Sequence, residues 1–275
     1  MRLSVFILLL VSHISMAQNY GGDSWATVNS KGSGKLAVVY YPQAGLISEE
    51  GGKMKGLCVD LLDDFVAYVQ AKHHKKITID YQGEEKVFSE FLKVTQTTPN
   101  VLGVTYVTVT EERKKVMKFT PPFLSNQETL ITHKDAPAVD HLKNIGTILK
   151  GYSIKIIAGS VHQKYAEQIK RENMPQLAIS TGPSGTEILK EISTNPKLFT
   201  ILDFTEYVDA VRKQIPVKRQ NVQIGPIQDL AFCMSKQSDW DEIWNEFLTP
   251  EYRKSEKYRK FIASNLGGAY LSVFK

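Results

Sequence analysis

The chain has 275 residues, 42% of them hydrophobic and 23% charged, with a formal net charge of +5. That composition excludes a disordered chain and leaves room for one large domain or two lobes. The basic residues fall in short, scattered clusters (Arg113-Lys114-Lys115, Lys218-Arg219, Arg253-Lys254), not in the continuous stripe that a nucleic-acid surface needs, so no nucleic-acid partner is expected.

The N-terminus carries a positive start at Met1-Arg2, an apolar stretch over Leu3–Val11 and a small-x-small site at Ser15-Met16-Ala17. This is the pattern of a secretory signal peptide over 1–17, cut after Ala17, and it predicts a periplasmic protein. No later apolar run is long enough to span a bilayer. Residues 18–34 are rich in Gly, Ser and Asn and are expected to form a flexible leader. Cys58 and Cys233 lie in apolar runs and read as small buried hydrophobes, although export also permits a disulfide.

Leu36–Tyr41 reads as a first strand, stopped by Pro42. Leu61, Leu62, Phe65, Val66 and Val69 then mark one face of an amphipathic helix. The pair His73-His74 at its end diverges in direction and lacks carboxylates at ligand spacing, so no metal is expected. Ile77–Tyr81 is a second strand and Val87–Val94 a short helix. Val101–Val109 is a β-branched third strand that runs into Thr110-Glu111-Glu112-Arg113, a helix N-cap with acids in the first turn. A strand that hands over to a helical turn leaves backbone N–H groups free for an anion.

After an extended segment at Thr129–Thr132 and a short helix near 144–150, the rhythm restarts. Tyr152–Ile157 is a strand. Ser160 and Gln163 form a capping-box pattern before the stripe Val161, Tyr165, Ile169. Leu177–Ile179 is a strand, followed by a second capping box at Ser184 and Glu187. Leu198–Leu202 is a strand that ends at Asp203, and Tyr207, Val208 and Val211 open a helix. Residues 215–229, with Pro216 and Pro226, read as a connector. Leu230–Met234 is a last strand, and Trp240–Leu248 and Tyr258–Leu266 are apolar-faced helices. Alternating strands and helices in two runs predict two α/β lobes, each a mainly parallel sheet flanked by helices. Ligands of such lobes bind off the carboxyl ends of strands.

Two stretches make this order specific. Gly56-Leu57-Cys58-Val59-Asp60-Leu61-Leu62 is similar to a G-F-D-V-D-L motif. Gly103–Phe123 is similar to G-M-T-I-T-x-E-R-x-x-x-V-x-F-S-x-P-Y. On these the chain resembles, over about 36–266, the family 3 periplasmic solute-binding proteins, the amino-acid receptors of ABC importers. The resemblance implies the type II two-lobed periplasmic-binding fold, with two hinge segments joining lobe 1 (35–127 plus 225–275) to lobe 2 (128–224). It implies a monomer with no cofactor, which closes over an amino acid or similar carboxylated zwitterion for delivery to a membrane permease or sensor. Carried over residue by residue, Arg113 and Thr108 would hold the ligand's carboxylate, with Gly159-Ser160-Val161 adding backbone donors from the second lobe. Asp203 would hold the amino group, and Tyr40 or Tyr41 would cover the side chain. Tyr106 departs from the motif, standing where a small polar residue often contributes, and Val161 replaces a hydroxyl.

Two other functions fit the same scaffold: a ligand-sensing or interaction module, and a dehydratase-like enzyme. The enzyme would draw its acid or base from His162, read here as an exposed first-turn residue.

Overall fold

The computed structural model describes residues 20–273; the signal-peptide expectation lies outside the described residues. Residues of the expected leader are folded. Helix α1 (Trp25–Lys31) is capped by Ser24, whose hydroxyl accepts from the Thr27 N–H, and it ends at Gly32 in the left-handed region. Tertiary contacts hold it: Trp25 packs on Trp240 with ring centroids 5.6 Å apart, and Asp239 accepts from the Trp25 and Ala26 N–H groups at 2.7 and 2.9 Å. The Gly- and Ser-rich composition carries no trace of these long-range partners.

The chain continues through β1 (Ser33–Tyr40), the hairpin β2 (Ser48–Glu50) and β3 (Lys53–Lys55), α2 (Leu57–His73), β4 (Lys76–Glu84), α3 (Phe88–Thr97) and β5 (Val101–Thr108). Next come α4 (Glu111–Val116), β6 (Met117–Phe119) and β7 (Leu124–Asn126). After one intervening residue it enters a second sheet with β8 (Glu128–His133), α5 (Ile145–Ile148), β9 (Ser153–Ile157), α6 (His162–Glu172) and β10 (Ala178–Gly182). That sheet is completed by α7 (Gly185–Thr194), β11 (Leu198–Asp203), α8 (Phe204–Arg212) and β12 (Val217–Arg219). The chain then returns with β13 (Gln228–Ser235), α9 (Asp241–Phe247), α10 (Pro250–Lys254), α11 (Glu256–Leu266) and α12 (Gly268–Val273). The expected connector at 215–229 thus holds a short edge strand: β12 pairs with β8, placing Val217 opposite His133.

The first sheet runs β4-β1-β5-β13-β6, with β7 also on β13; the second runs β10-β9-β11-β8-β12. In each sheet three strands are parallel, and the strand by which the chain enters from the other sheet, β13 in the first and β8 in the second, is antiparallel to its neighbours. The parallel strands place their carboxyl ends, and the helix starts that follow, toward the cleft between the sheets. The chain crosses between the sheets twice, at Asn126–Glu128 and over 220–227.

One face of the first sheet packs on α2, α9 and α11. Its centre is Phe65 stacked on Trp244, with centroids 4.0 Å apart and planes 8° from parallel. The other face packs on α3 and meets the second lobe, so Ala37, Val39, Tyr41 and Phe91 share a cluster with Ile131, Ile157, Ile188 and Leu202. Cys58 lies in the first of these clusters and Cys233 in the second. Both are free thiols, and burial pushes Cys233 up to about 12 and Cys58 well above the usual thiol range. Reductant is therefore expected to leave Tm unchanged, and a thiol reagent to react with both cysteines only after denaturation. A fall in Tm with reductant would show the two bridged. Among the described residues, no helix is long and apolar enough to cross a membrane.

Candidate functional site

Every strand residue from Val101 to Thr108 is buried, and the strand stops where Thr110 turns the chain. The Thr110 hydroxyl accepts from the Arg113 N–H at 3.1 Å, and Glu111 and Glu112 occupy the first turn of α4. This cap aims Arg113 back over the end of β5. Its guanidinium donates through Nη1 to the Thr108 carbonyl at 2.9 Å and through Nη2 to the Gly159 carbonyl of the second lobe at 3.2 Å. The same group lies 5.7 Å from the centre of the Phe88 ring. Among the described residues, no carboxylate lies in ion-pair range of Arg113. Burial lowers its pKa, with Cys233 and Asp203 acting in the opposite sense, as expected for a cation removed from water.

Across the cleft, Gly159 has φ +77°, and a Cβ there would sit 3.2 Å from Ser89 Cβ on α3. Glycine thus supplies both the left-handed turn and the close approach of the lobes. The expected capping box at Ser160 does not form. Ser160 Oγ instead donates to the Ile157 carbonyl at 2.8 Å, and α6 begins at His162 after Val161, without a side-chain cap. The turn already gives this hydroxyl a local acceptor.

A cleft is lined by Tyr41, Tyr106, Thr108, Arg113, Ser160, Val161 and Asp203, together with Gln43, Phe88, Ile157 and His162. The structure brings together seven of the eight residues that the sequence singles out. The eighth, Tyr40, points the other way, into the core with α2, and packs edge-on against Tyr81 at 6.4 Å. Neighbouring strand residues alternate faces, so only one of the two tyrosines reaches the cleft. Tyr41 sits edge-on to Phe88 at 5.3 Å, and its hydroxyl donates across the cleft to the Pro183 carbonyl at 3.4 Å. Tyr106 also bridges the lobes, its hydroxyl accepting from Thr205 Oγ1 at 2.9 Å.

The larger departure from expectation is His162. It is 2% exposed, not a solvated first-turn residue, because the first turn of α6 faces the other lobe. Its Nε2 lies 3.5 Å from Glu128 Oε2 and 3.8 Å from Asp203 Oδ1. Burial alone would lower the imidazole's pKa, but the two carboxylates outweigh it and push the group up to about 10. Asn126, at the first crossover, ties this cluster together. Its Nδ2 donates to Glu128 Oε2 at 3.0 Å and to Asp203 Oδ1, and its Oδ1 accepts from the Phe204 N–H at 3.1 Å. Glu128, His162 and Asp203 offer donor atoms within 4.8 Å of one another, a spacing a metal could use. However, the amide N–H₂ of Asn126 faces the same two carboxylate oxygens, so a proton donor already holds that side. The set suits a buried imidazolium better than a metal. Glu206, beside Asp203, keeps one buried oxygen without a hydrogen-bond partner, and burial, then the charge of Asp203, raises it to about 8.

Tyr106→Phe removes the hydroxyl that accepts from Thr205 and leaves that buried threonine unpaired. It is expected to shift the lobes toward an open state by about 1 kcal/mol. The check is small-angle scattering of the ligand-free protein, which should show a larger radius of gyration for the variant than for the parent.

Compared with solved structures, the chain is similar to an ancestral arginine-binding protein bound to glutamine, at 18% identity and a TM-score of 0.67 over 85% of this chain and 98% of that one. It is similar to the arginine-, lysine-, histidine-binding protein ArtJ of Geobacillus stearothermophilus, at 18% identity and a TM-score of 0.66 over 84% and 95% of the two chains. An ancestral amino acid-binding protein described as a precursor of cyclohexadienyl dehydratase gives 16% identity and a TM-score of 0.66 over 87% and 97%. These likenesses span almost the whole of each neighbour and establish the two-lobed periplasmic-binding fold. No protein-family model matches the chain, and no curated protein matches its sequence.

Proposed function

We propose that the protein is an extracytoplasmic solute-binding protein whose lobes close over a small carboxylate-bearing solute of amino-acid size, for ABC-type import. The observation that carries this reading is Arg113, a cleft cation with no acidic partner in range among the described residues, bonded to the carbonyls of both lobes. A guanidinium offers parallel N–H donors that match a carboxylate, and Thr108 and the Gly159–Val161 turn stand beside it. A ligand that touches both walls favours closure by its differential affinity for the closed state. The neighbours support the ligand class, since they are arginine-, lysine-, histidine- and amino acid-binding proteins. In this reading the protein acts as a monomer, exported by a signal peptide over 1–17 and presenting the loaded cleft to a membrane permease. It performs no chemistry.

One observation favours a second reading, an enzyme on the same scaffold. Glu206, raised to about 8, and His162 are proton carriers close to the cleft, and general acid–base catalysis needs such groups. A single experiment separates the two readings. In a thermal-shift screen of the mature protein against amino acids and related carboxylates, a binding protein raises its Tm with one or more of them. Nuclear magnetic resonance then recovers that compound unchanged after incubation. A Tm that no carboxylate moves would overturn the binding reading, and turnover of the bound compound would replace it with the enzyme.

A further inference from the structure

The family resemblance implies that Asp203 would hold a ligand's ammonium; the inference below rests on the binding reading above. The structure gives Asp203 partners of its own. Asn126 Nδ2 donates to Asp203 Oδ1. His162 Nε2 lies 3.8 Å from the same oxygen and 3.5 Å from Glu128 Oε2, so the imidazole is shared between the two carboxylates. The Tyr106 hydroxyl, which accepts from Thr205 Oγ1, lines the same end of the cleft as Asp203. All four side chains are buried. One donor, from Asn126, and one imidazole thus already crowd a carboxylate that a ligand ammonium would need for itself.

The geometry around them is fixed. Asn126 sits at the crossover between the sheets and is bonded to Glu128 and to the start of α8. His162 opens α6, and both of its ring nitrogens are buried without a hydrogen bond. An ammonium brought to Asp203 would meet the imidazole across the same oxygen. It would also compete with the Asn126 amide, a buried donor whose desolvation would then be less well compensated. At the other end of the cleft, Arg113 has no carboxylate in ion-pair range among the described residues. Between the two ends the walls are Tyr41, Phe88, Ile157 and Val161, which suit an apolar body. The cleft therefore asks for one negative charge at Arg113 and supplies its own positive group at Asp203.

We propose that the ammonium subsite is filled by His162, Asn126 and Tyr106, and that the cleft takes a small monocarboxylate without an α-ammonium in preference to the matching amino acid. The class comprises 2-oxo, 2-hydroxy and unsubstituted carboxylic acids with an apolar side chain.

The test is isothermal titration of the mature protein with matched sets: phenylalanine, phenylpyruvate, phenyllactate and 3-phenylpropionate, then leucine with its three counterparts. At least one ammonium-free acid is expected to bind tenfold or more tighter than its amino acid. His162→Asn removes the cation beside Asp203, and in that variant the ratio should move toward the amino acid by tenfold or more. Should His162→Asn fail to fold, Tyr106→Phe releases a different donor and should move the ratio in the same direction. An amino acid that binds as tightly as its counterparts, or a ratio that neither variant moves, overturns the proposal while leaving the carboxylate site at Arg113 intact. If neither the amino acids nor the ammonium-free acids bind, the carboxylate reading fails and this proposal falls with it.

Discussion

Arg113→Ala is expected to weaken carboxylate binding by about 100- to 1,000-fold, the loss that follows when one partner of a buried charge pair is removed. The empty protein should lose no stability from the same change. In the absence of ligand, Arg113 is a half-buried cation in the cleft, bonded to two carbonyls and set over the Phe88 ring, and desolvation works against its charge. Removing it relieves that cost, so the Tm of the empty protein should stay level or rise. A merely structural arginine would show the reverse, a drop in Tm with little change in affinity. Arg113→Lys should recover little of the affinity. An ammonium is a point charge and does not make two parallel bonds to a carboxylate while also reaching the carbonyls of Thr108 and Gly159. Calorimetric titration beside a melting curve reads both halves of this expectation.

Trp244→Ala is expected to cost about 3–5 kcal/mol of stability, the range for a large buried aromatic replaced by alanine. Trp244 is fully buried, stacks on Phe65 of α2 and meets Phe232 of β13 edge-on at 5.4 Å. It therefore pins the returning C-terminal segment to the first lobe. Trp244→Phe should cost much less. The indole N–H is buried without a partner, so losing it also removes a desolvation penalty. Urea denaturation of the three proteins gives the comparison. Equal losses for Ala and Phe would mean that the indole contributes something beyond ring packing.

How far the sequence revealed the site depends on distance along the chain. Arg113, Thr110 and Thr108 lie within six residues, and a strand running into a capped turn is a local pattern. The same holds for Asp203 at the end of β11. The alternation of strands and helices in two runs is likewise read from local periodicity, and it carries the two-lobed architecture. The cluster around Asp203 is different. Asn126, Glu128, His162 and Asp203 are separated by up to 77 residues, and nothing in their own neighbourhoods marks them as partners. His162 reads as solvated because first turns of helices usually are, but here that turn faces the opposite lobe. Helix α1 was hidden for a related reason. Seven residues of weak propensity form a helix because Trp240 and Asp239, more than 200 positions away, hold its first turn. Tyr40 and Tyr41 show the limit of alternation: it says that one of two neighbours faces the cleft, and only the packing of the sheet says which.

Tyr106 gains a definite role from the structure. At the level of sequence it is a bulky intruder in a family motif. In the folded chain it spans the cleft to Thr205, so it links the lobes, and in the proposal above it also fills the end of the site opposite Arg113.

The central claim is that the cleft binds a small solute by its carboxylate. The most direct measurement is calorimetric titration of the mature protein with the tightest-binding acid found in the screen, alongside the primary amide and methyl ester of the same compound. One-to-one binding of the acid, with the amide and ester at least 100-fold weaker, is the result expected if Arg113 holds the carboxylate. Equal affinity for the acid and its neutral derivatives would contradict the claim.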